Sequence, residues 1–300
     1  MKKAMNKLIP LILASLLAVI SVISANAKSY IVDTDGAKYE MLADDTVIFA
    51  GYEGDYGKVV VPGYFQTKPV IKVENMALKN NTVVTEIDFS YAENLEKIGL
   101  YAFSGCENLS FVDVPASISS VGISVFRDCI SLYRASFLGN GTKVPNEAFL
   151  NCYSLEIAEL SPDLTAIGDY AFANCTSLEY LELPATVTSI GNNAFLNDDN
   201  LTLGVYYDSY AYHYAIENNI EYKLLDGVKL GDVNGDGIVN VDDATLIQKY
   251  LAELETIEGI YLYAADSNED TEIDVSDATA IQMYSVELQT GHPIGQVLTK

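Results

Sequence analysis

The residues best suited to chemistry lie in two short acidic stretches near the C-terminus. The first, Asp232-Val233-Asn234-Gly235-Asp236-Gly237-Ile238-Val239-Asn240-Val241-Asp242-Asp243, places side-chain oxygens at loop positions 1, 3, 5, 9 and 12. Gly237 holds position 6, and the main-chain carbonyl of Ile238 serves position 7. A calcium-sized hard cation takes about 6–8 oxygen ligands in a flexible cage, and a glycine at position 6 allows the sharp turn. A second loop starts at Asp266 and continues with Asn268, Asp270, Glu272 through its carbonyl, Asp274 and Asp277. Calcium is expected at both. Thr271 stands where the first loop has Gly237. A β-branched residue at a positive-φ turn costs about 1–2 kcal/mol, so the second site is expected to be weaker or distorted.

The elements that hold these loops are duplicated as well. Ala244-Thr245-Leu246-Ile247-Gln248-Lys249-Tyr250 follows the first loop and Ala278-Thr279-Ala280-Ile281-Gln282-Met283-Tyr284 the second. Position 12 is Asp in both rather than the Glu of an ordinary EF-hand, and Val228 to Gly231 leave no room for a helix entering loop 1. This twice-repeated loop-helix unit resembles a type I dockerin over about residues 229–290. The resemblance implies a small all-α module that binds a scaffoldin cohesin in a calcium-dependent way. It also implies cohesin contacts from Val241, Asp242, Leu246, Gln248 and Lys249, or from Val275, Ser276, Ala280, Gln282 and Met283. Asp242 against Ser276 and Lys249 against Met283 make the two faces unequal.

Upstream, a different repeat dominates. Ala102-Phe103-Ser104-Gly105-Cys106-Glu107-Asn108-Leu109 recurs at a constant interval, with copies from Val125, Ala148, Ala171 and Ala194. The copies align Phe103, Phe126, Phe149, Phe172 and Phe195, then Cys106, Cys129, Cys152 and Cys175, then Leu109, Leu132, Leu155, Leu178 and Leu201. A fixed period of 23 residues, within the roughly 20–50 that mark repeat architectures, means a solenoid whose coils bury their apolar faces on one another. Alternation at Leu181 and Leu183 marks a short strand in each coil. Gly99, Gly122, Gly168 and Gly191 supply either a positive φ or a close backbone approach at the turn. Together these features resemble a BspA-like leucine-rich repeat across about residues 47–222, an α/β solenoid of parallel strands. The segment Ser209 to Ile220 looks like the helical closing piece of such an array.

Four cysteines in an exported chain would ordinarily suggest two disulfides. Here they form one column that continues as Asn81 before and Asp198 after. Parallel side chains in a stack suit a disulfide badly, so buried free thiols are expected. The outward strand places give Phe111, Arg134, Ile157, Tyr180 and Leu203 in one column and Asp113, Ser136, Glu159, Glu182 and Val205 in the next. Such a stripe is either a docking surface for a protein or glycan or the ordinary preference of strands for aromatic and branched residues.

The remaining features set limits. Met1 to Ala27 has Lys2, Lys3 and Lys7, an apolar run from Leu8 to Ile23 and Ala25-Asn26-Ala27, the layout of a secretory signal peptide cleaved after Ala27. The formal charge is −25, and −28 without those three lysines, which disfavours nucleic acid and anionic membranes as partners. His213 and His292 are the only histidines, neither beside a catalytic constellation, so no enzyme activity is expected. The expected organisation is a signal peptide at 1–27, a cap at 28–69, the repeats with their closing segment at 70–225, a linker at 226–230, the dockerin at 231–291 and a tail at 292–300. The expected function is that of a secreted, non-catalytic cellulosome-associated protein on a cell-surface or cellulosomal scaffold, with no membrane insertion after signal removal. The alternatives are an array that regulates or inhibits a partner enzyme, and a dockerin-borne polysaccharide hydrolase.

Overall fold

The computed structural model describes residues 28–115, 117–138, 143–225 and 227–297. The expected signal peptide lies outside them. The chain folds as a parallel-strand solenoid followed by a small helical module. Its residues divide into two compact units, one running to Leu178 and including Gly191–Asp199, the other combining Glu179–Ile190 with the residues from Asn200 on. No described helix is long and apolar enough to cross a membrane.

The first unit opens with antiparallel strands, Ile31–Val32 on Ala37–Met41 and Ala37–Met41 on Val47–Tyr52. They precede the regular coils, at the end where a solenoid needs atypical strands to cover its core. Parallel pairing then takes over, running from Lys58–Val60 through Glu86–Asp88, Phe111–Val114 and Arg134–Phe137 to Ile157–Leu160. Phe111, Arg134 and Ile157 stand side by side in register. Alternation along Phe111–Val114 turns Val112 and Val114 inward and leaves Phe111 and Asp113 in solvent.

The phenylalanine column is the spine of this unit. Successive rings from Phe103 to Phe195 stack with centroids 5.4, 5.6, 5.2 and 5.7 Å apart and planes within 18° of parallel. Burying each ring contributes about 1.5–3 kcal/mol, and ring pairing adds about 0.5–1.5 kcal/mol. All four cysteines are free and buried. Each thiol donates to a carbonyl of the preceding coil, Leu78, Phe103, Phe126 and Phe149 in turn, at 3.1–3.3 Å. Burial pushes the Cys106 thiol up to about 12 and the other three well above the ordinary value.

The turns hold two further columns. Tyr101, Ser124, Glu147, Tyr170 and Asn193 take φ of 54–56°, and Gly105, Asp128, Asn151, Asn174 and Asn197 take φ of 61–72°. Glycine, asparagine and aspartate tolerate the left-handed region, which accounts for the second column. The first is held by hydrogen bonds between coils, as in Tyr101 N–H to Ile123 O, Phe103 N–H to Val125 O and Gly105 N–H to Arg127 O. Gly99, Gly122, Gly168 and Gly191 are not at positive φ, so their role is close approach: a methyl group there would collide with backbone one coil earlier. An amide chain also climbs the turns, Asn197 Nδ2 donating to Asn174, Asn174 to Asn151 and Asn151 to Asp128, each at 2.7 Å.

In the second unit, Tyr180–Glu182, Thr202–Val205 and Glu221–Leu224 form a parallel sheet. Helix α1 (Tyr210–Glu217) precedes the last strand, and the Ser209 side chain caps it by accepting from the Tyr212 N–H. Leu203 departs from the expected exposure. Tyr180 lies opposite Thr202 rather than Leu203, one place short of the repeat interval, so Leu203 and Val205 turn inward and are fully buried. Such a single step exchanges the two faces of a strand. Ser136 is also buried.

The helical module contains α2 (Val241–Leu251), α3 (Ile260–Ala265) and α4 (Val275–Ser285). Its core gathers Val233, Ala244, Ile247, Ile257, Ala265, Ala278 and Ile281. Asn240 and Asp274 cap α2 and α4, and in both helices the residue at the third helical position, Asp243 or Asp277, reaches back to complete a capping box. Residues 294–297, within the expected tail, fold back onto the start of the module. Lys229 pairs with Val297, Leu230 N–H donates to Gln296 O, Gly295 N–H donates to Leu230 O, and Ile294 is buried. Tyr207 and Tyr263 place their rings 6.1 Å apart, and Tyr212 lies 5.3 Å from both Tyr207 and Tyr222.

Candidate metal loops and binding faces

The two acidic loops wrap around their own carboxylates. In loop 1 the two oxygens of Asp232 accept from the N–H groups of Gly235 and Gly237, each at 3.0 Å. Asp243 reaches back across the loop and accepts from Val233 (2.8 Å), Asn234 (3.0 Å) and Asn240 (2.9 Å). Asn234 and Asp236 each accept from the N–H two places on, at 2.8 Å. Lys229 Nζ donates to the Gly237 carbonyl at 2.7 Å. Asn240 Nδ2 is 3.3 Å from the Ile238 carbonyl.

Loop 2 repeats the plan. Asp266 accepts from Asp270 and Thr271, Asn268 from Asp270, Asp270 from Glu272, and Asp277 from Asn268 and Asp274. Ser267 replaces Val233 and donates its hydroxyl to the Asp277 carbonyl at 2.9 Å. Thr271 adopts φ 76° against 83° for Gly237, so the β-branched residue does sit in the left-handed region.

Burial makes the donor chemistry specific. Asp243 and Asp277 are fully buried, and Asp232 is 3% exposed. Desolvation raises the pKa of Asp243 and Asp277, N–H donors oppose it, and Asp232 and Asp266 respectively push them further up. Among the described residues no lysine or arginine forms an ion pair with Asp232, Asp243, Asp266 or Asp277. Facing carboxylates taken out of water without a cation are costly, and the oxygen chemistry of the donor set, though not its geometry here, suits a divalent cation. Among the described residues no cluster of three or more His, Cys, Asp or Glu side chains is gathered tightly enough to hold a metal ion. The expected donor set relies equally on Asn234, Asn240 and the Ile238 carbonyl, and several carboxylate oxygens here point at backbone N–H groups instead.

The expected partner face is mostly outward. Val241 and Val275 are 55% and 68% exposed, and Asp242, Gln248, Lys249, Ser276 and Gln282 are exposed as well. Leu246 and Met283 are half-buried, and Leu246 packs on the core. Ala280 is buried, sharing the inward stripe of α4 with Asp277, Ala278 and Ile281, so it is not available for direct contact. Helix α3 was not singled out in the sequence; its signal is the apolar run Ile260-Tyr261-Leu262 leading into loop 2.

On the strand face of the repeats, Phe111 and Ile157 are exposed, and between them Arg134 lies 3.6 Å from Asp113 and 3.4 Å from Glu159. The acidic column is thus partly neutralised from within. Tyr180 is exposed, and its hydroxyl donates to Glu182 at 3.1 Å. His213 is exposed and pairs with Asp208, also exposed, at 2.8 Å. Asp198 takes the place in the cysteine column that its spacing implies, and nothing in the sequence marked it as unusual there; it is buried, with neither carboxyl oxygen hydrogen-bonded.

Residues 71–202 match the family model for the BspA type leucine rich repeat region in six copies, and residues 230–284 match that for the dockerin type I domain. No curated protein matches the chain. A leucine rich cell surface protein from Faecalibacterium prausnitzii A2-165 is 26% identical over 60% of this chain and 55% of its own, with a TM-score of 0.44. A leucine-rich repeat protein from Eubacterium ventriosum ATCC 27560 is 22% identical over 58% and 51%, with a TM-score of 0.46. The T. pallidum leucine rich repeat protein is 24% identical over 57% and 70%, with a TM-score of 0.37. The chain spans about half the length of the first two of these structures. Dockerin type I domains are calcium-binding partners of cohesins, and leucine-rich repeats are interaction modules. The chain therefore carries a BspA type leucine-rich repeat region followed by a dockerin type I domain.

Proposed function

We propose that this protein is a secreted, non-catalytic component of a cellulosome-like assembly, anchored by its dockerin and displaying its repeats as a binding surface. The observation that carries this reading is the duplicated loop-helix unit, whose buried carboxylates lack a basic partner among the described residues. Asp232, Asn234, Asp236, Asn240, Asp243 and the Ile238 carbonyl would hold one calcium ion. Asp266, Asn268, Asp270, Asp274, Asp277 and the Glu272 carbonyl would hold a second. Bound calcium supplies the positive charge that lets these carboxylates remain ionised together.

The chain's own residues do the positioning. Asp243 and Asp277 each join their loop to the first turn of the following helix, since both accept from loop N–H groups and both complete a capping box. Loop geometry thereby sets where α2 and α4 begin, and with them the exposed places of Val241, Asp242, Gln248, Lys249, Val275, Ser276 and Gln282. On the repeats, Phe111, Arg134 and Ile157 with Asp113 and Glu159, and separately Tyr180 with Glu182, offer apolar groups beside carboxylates. That combination suits a protein ligand with apolar and basic groups.

A binding screen of the mature protein against a panel of cohesins, with calcium and with chelator, tests the anchoring. Capture that chelator abolishes supports it. Failure to bind any cohesin while calorimetry registers calcium uptake would sink the cohesin assignment and leave the cation site standing.

A further inference from the structure

The column of small polar residues in the turns ends on a residue of different chemistry. Cys106, Cys129, Cys152 and Cys175 each donate to a carbonyl of the coil before, the last three to the equivalent atoms of Phe103, Phe126 and Phe149. Asn81 does the same through its amide to Tyr52 O at 3.5 Å. The next place in the column after Cys175 is Asp198, and the equivalent carbonyl of the coil before it belongs to Phe172. Asp198 is 8% exposed, and both carboxyl oxygens are buried without a hydrogen-bond partner.

An ionised carboxylate has only acceptors, whereas every cysteine of the column, and Asn81 through its amide, acts as a donor to the coil before. A lone buried charge costs far more than a lost hydrogen bond, so the group keeps a proton instead. We propose that Asp198 is a neutral carboxylic acid in the folded repeats and donates its proton to the Phe172 carbonyl, closing the thiol column with a bond that depends on pH. The titratable groups that face it reinforce this. Cys175 presents a thiol held neutral by burial, and Asp199 beside it repels negative charge. Burial outweighs the nearby Cys175 N–H, which favours the charged form, and moves the Asp198 carboxyl from its ordinary 3.8 to about 7.

The folded state therefore binds this proton more tightly than the unfolded chain. The stabilisation is complete below about pH 4 and is lost as pH rises to about 7, so the last regular coil is firmest in acid. The test is urea unfolding of the full chain at saturating calcium from pH 5 to 7, comparing wild type with Asp198→Cys and Asp198→Asn. The folding constant of the wild-type repeats is expected to fall about tenfold more per pH unit than that of either variant, one proton's worth. Infrared spectra of the wild type at pH 6 should carry a neutral-carboxyl band that Asp198→Asn lacks, a readout that holds even if a variant folds poorly. Equal pH slopes in wild type and variants, or a spectrum without that band, would overturn the assignment.

Discussion

Exchanging the residue at the sixth position of each loop separates backbone strain from ligand chemistry. Thr271 and Gly237 occupy equivalent places: φ is 76° and 83°, and each N–H donates to the first aspartate of its loop, at 2.9 Å to Asp266 and 3.0 Å to Asp232. A Cβ at Gly237 would meet nothing within 4 Å, so the two loops differ there by conformational cost and not by collision. Holding a side chain in the left-handed region costs about 1–2 kcal/mol. Glycine gives back about 0.4–1 kcal/mol through its freer unfolded state. Thr271→Gly is therefore expected to stabilise loop 2 by about 0.5–1.5 kcal/mol, and Gly237→Thr to destabilise loop 1 by as much. Where loop folding and calcium binding are linked, these values become about two- to thirteen-fold changes in apparent affinity. Calcium titration calorimetry on the full chain reads both variants. A Thr271→Gly protein that binds no more tightly, beside a Gly237→Thr protein that binds no more weakly, would refute the strain argument.

Chelation is expected to unfold residues 228–297 through carboxylate repulsion while the repeat stack keeps its own transition; scanning calorimetry with and without chelator checks this, and two transitions indifferent to chelator would count against calcium. Phe149→Ala, in the middle of the ring column, should cost about 3–5 kcal/mol, measured as a lower urea midpoint for the repeats, whereas a cost below about 1 kcal/mol would mean that the column repacks. The thiols should resist an aromatic disulfide reagent in the native protein and react fully in denaturant, because burial keeps them protonated and covered. Rapid native labelling would show that the coils open readily.

Much of this architecture is legible because the stack repeats its chemistry at one interval. Phe103 to Phe195 and Cys106 to Cys175 announce their columns by residue type, and the parallel side chains of stacked cysteines favour free thiols over disulfides, as found. Gly99 and its equivalents were legible only as a choice between positive φ and close approach, since glycine serves both; the collision that a methyl group would meet decides for the second. The left-handed residues Tyr101, Ser124, Glu147 and Tyr170 carry no signature in their types, because bonds to the next coil enforce that conformation. Leu203 was misplaced because a constant period was carried one strand too far, into a strand that pairs with the closing Glu221–Leu224. Ala280 was carried over by alignment with Leu246, and alignment preserves position but not accessibility. Residues 294–297 gave no warning of their return to Leu230, since that pairing is made by backbone.

The contacts between coils also bear on how such a chain changes length over generations. Phe172 stacks on Phe149, Asn174 receives and donates amide bonds in the same chain, and Cys175 reaches Phe149 O, every contact spanning one coil. A recombination that removes or duplicates one whole coil rejoins equivalent partners, whereas an insertion of another size must be absorbed in a loop, as it is between Glu86 and Phe111, which pair at an interval of 25 residues. Each such event shortens or lengthens the strand face by one strand spacing, about 4.8 Å, without a new core having to arise. Reach is thus a quantised and inheritable trait of the repeats, adjustable by copy number while the C-terminal helical module stays unaltered.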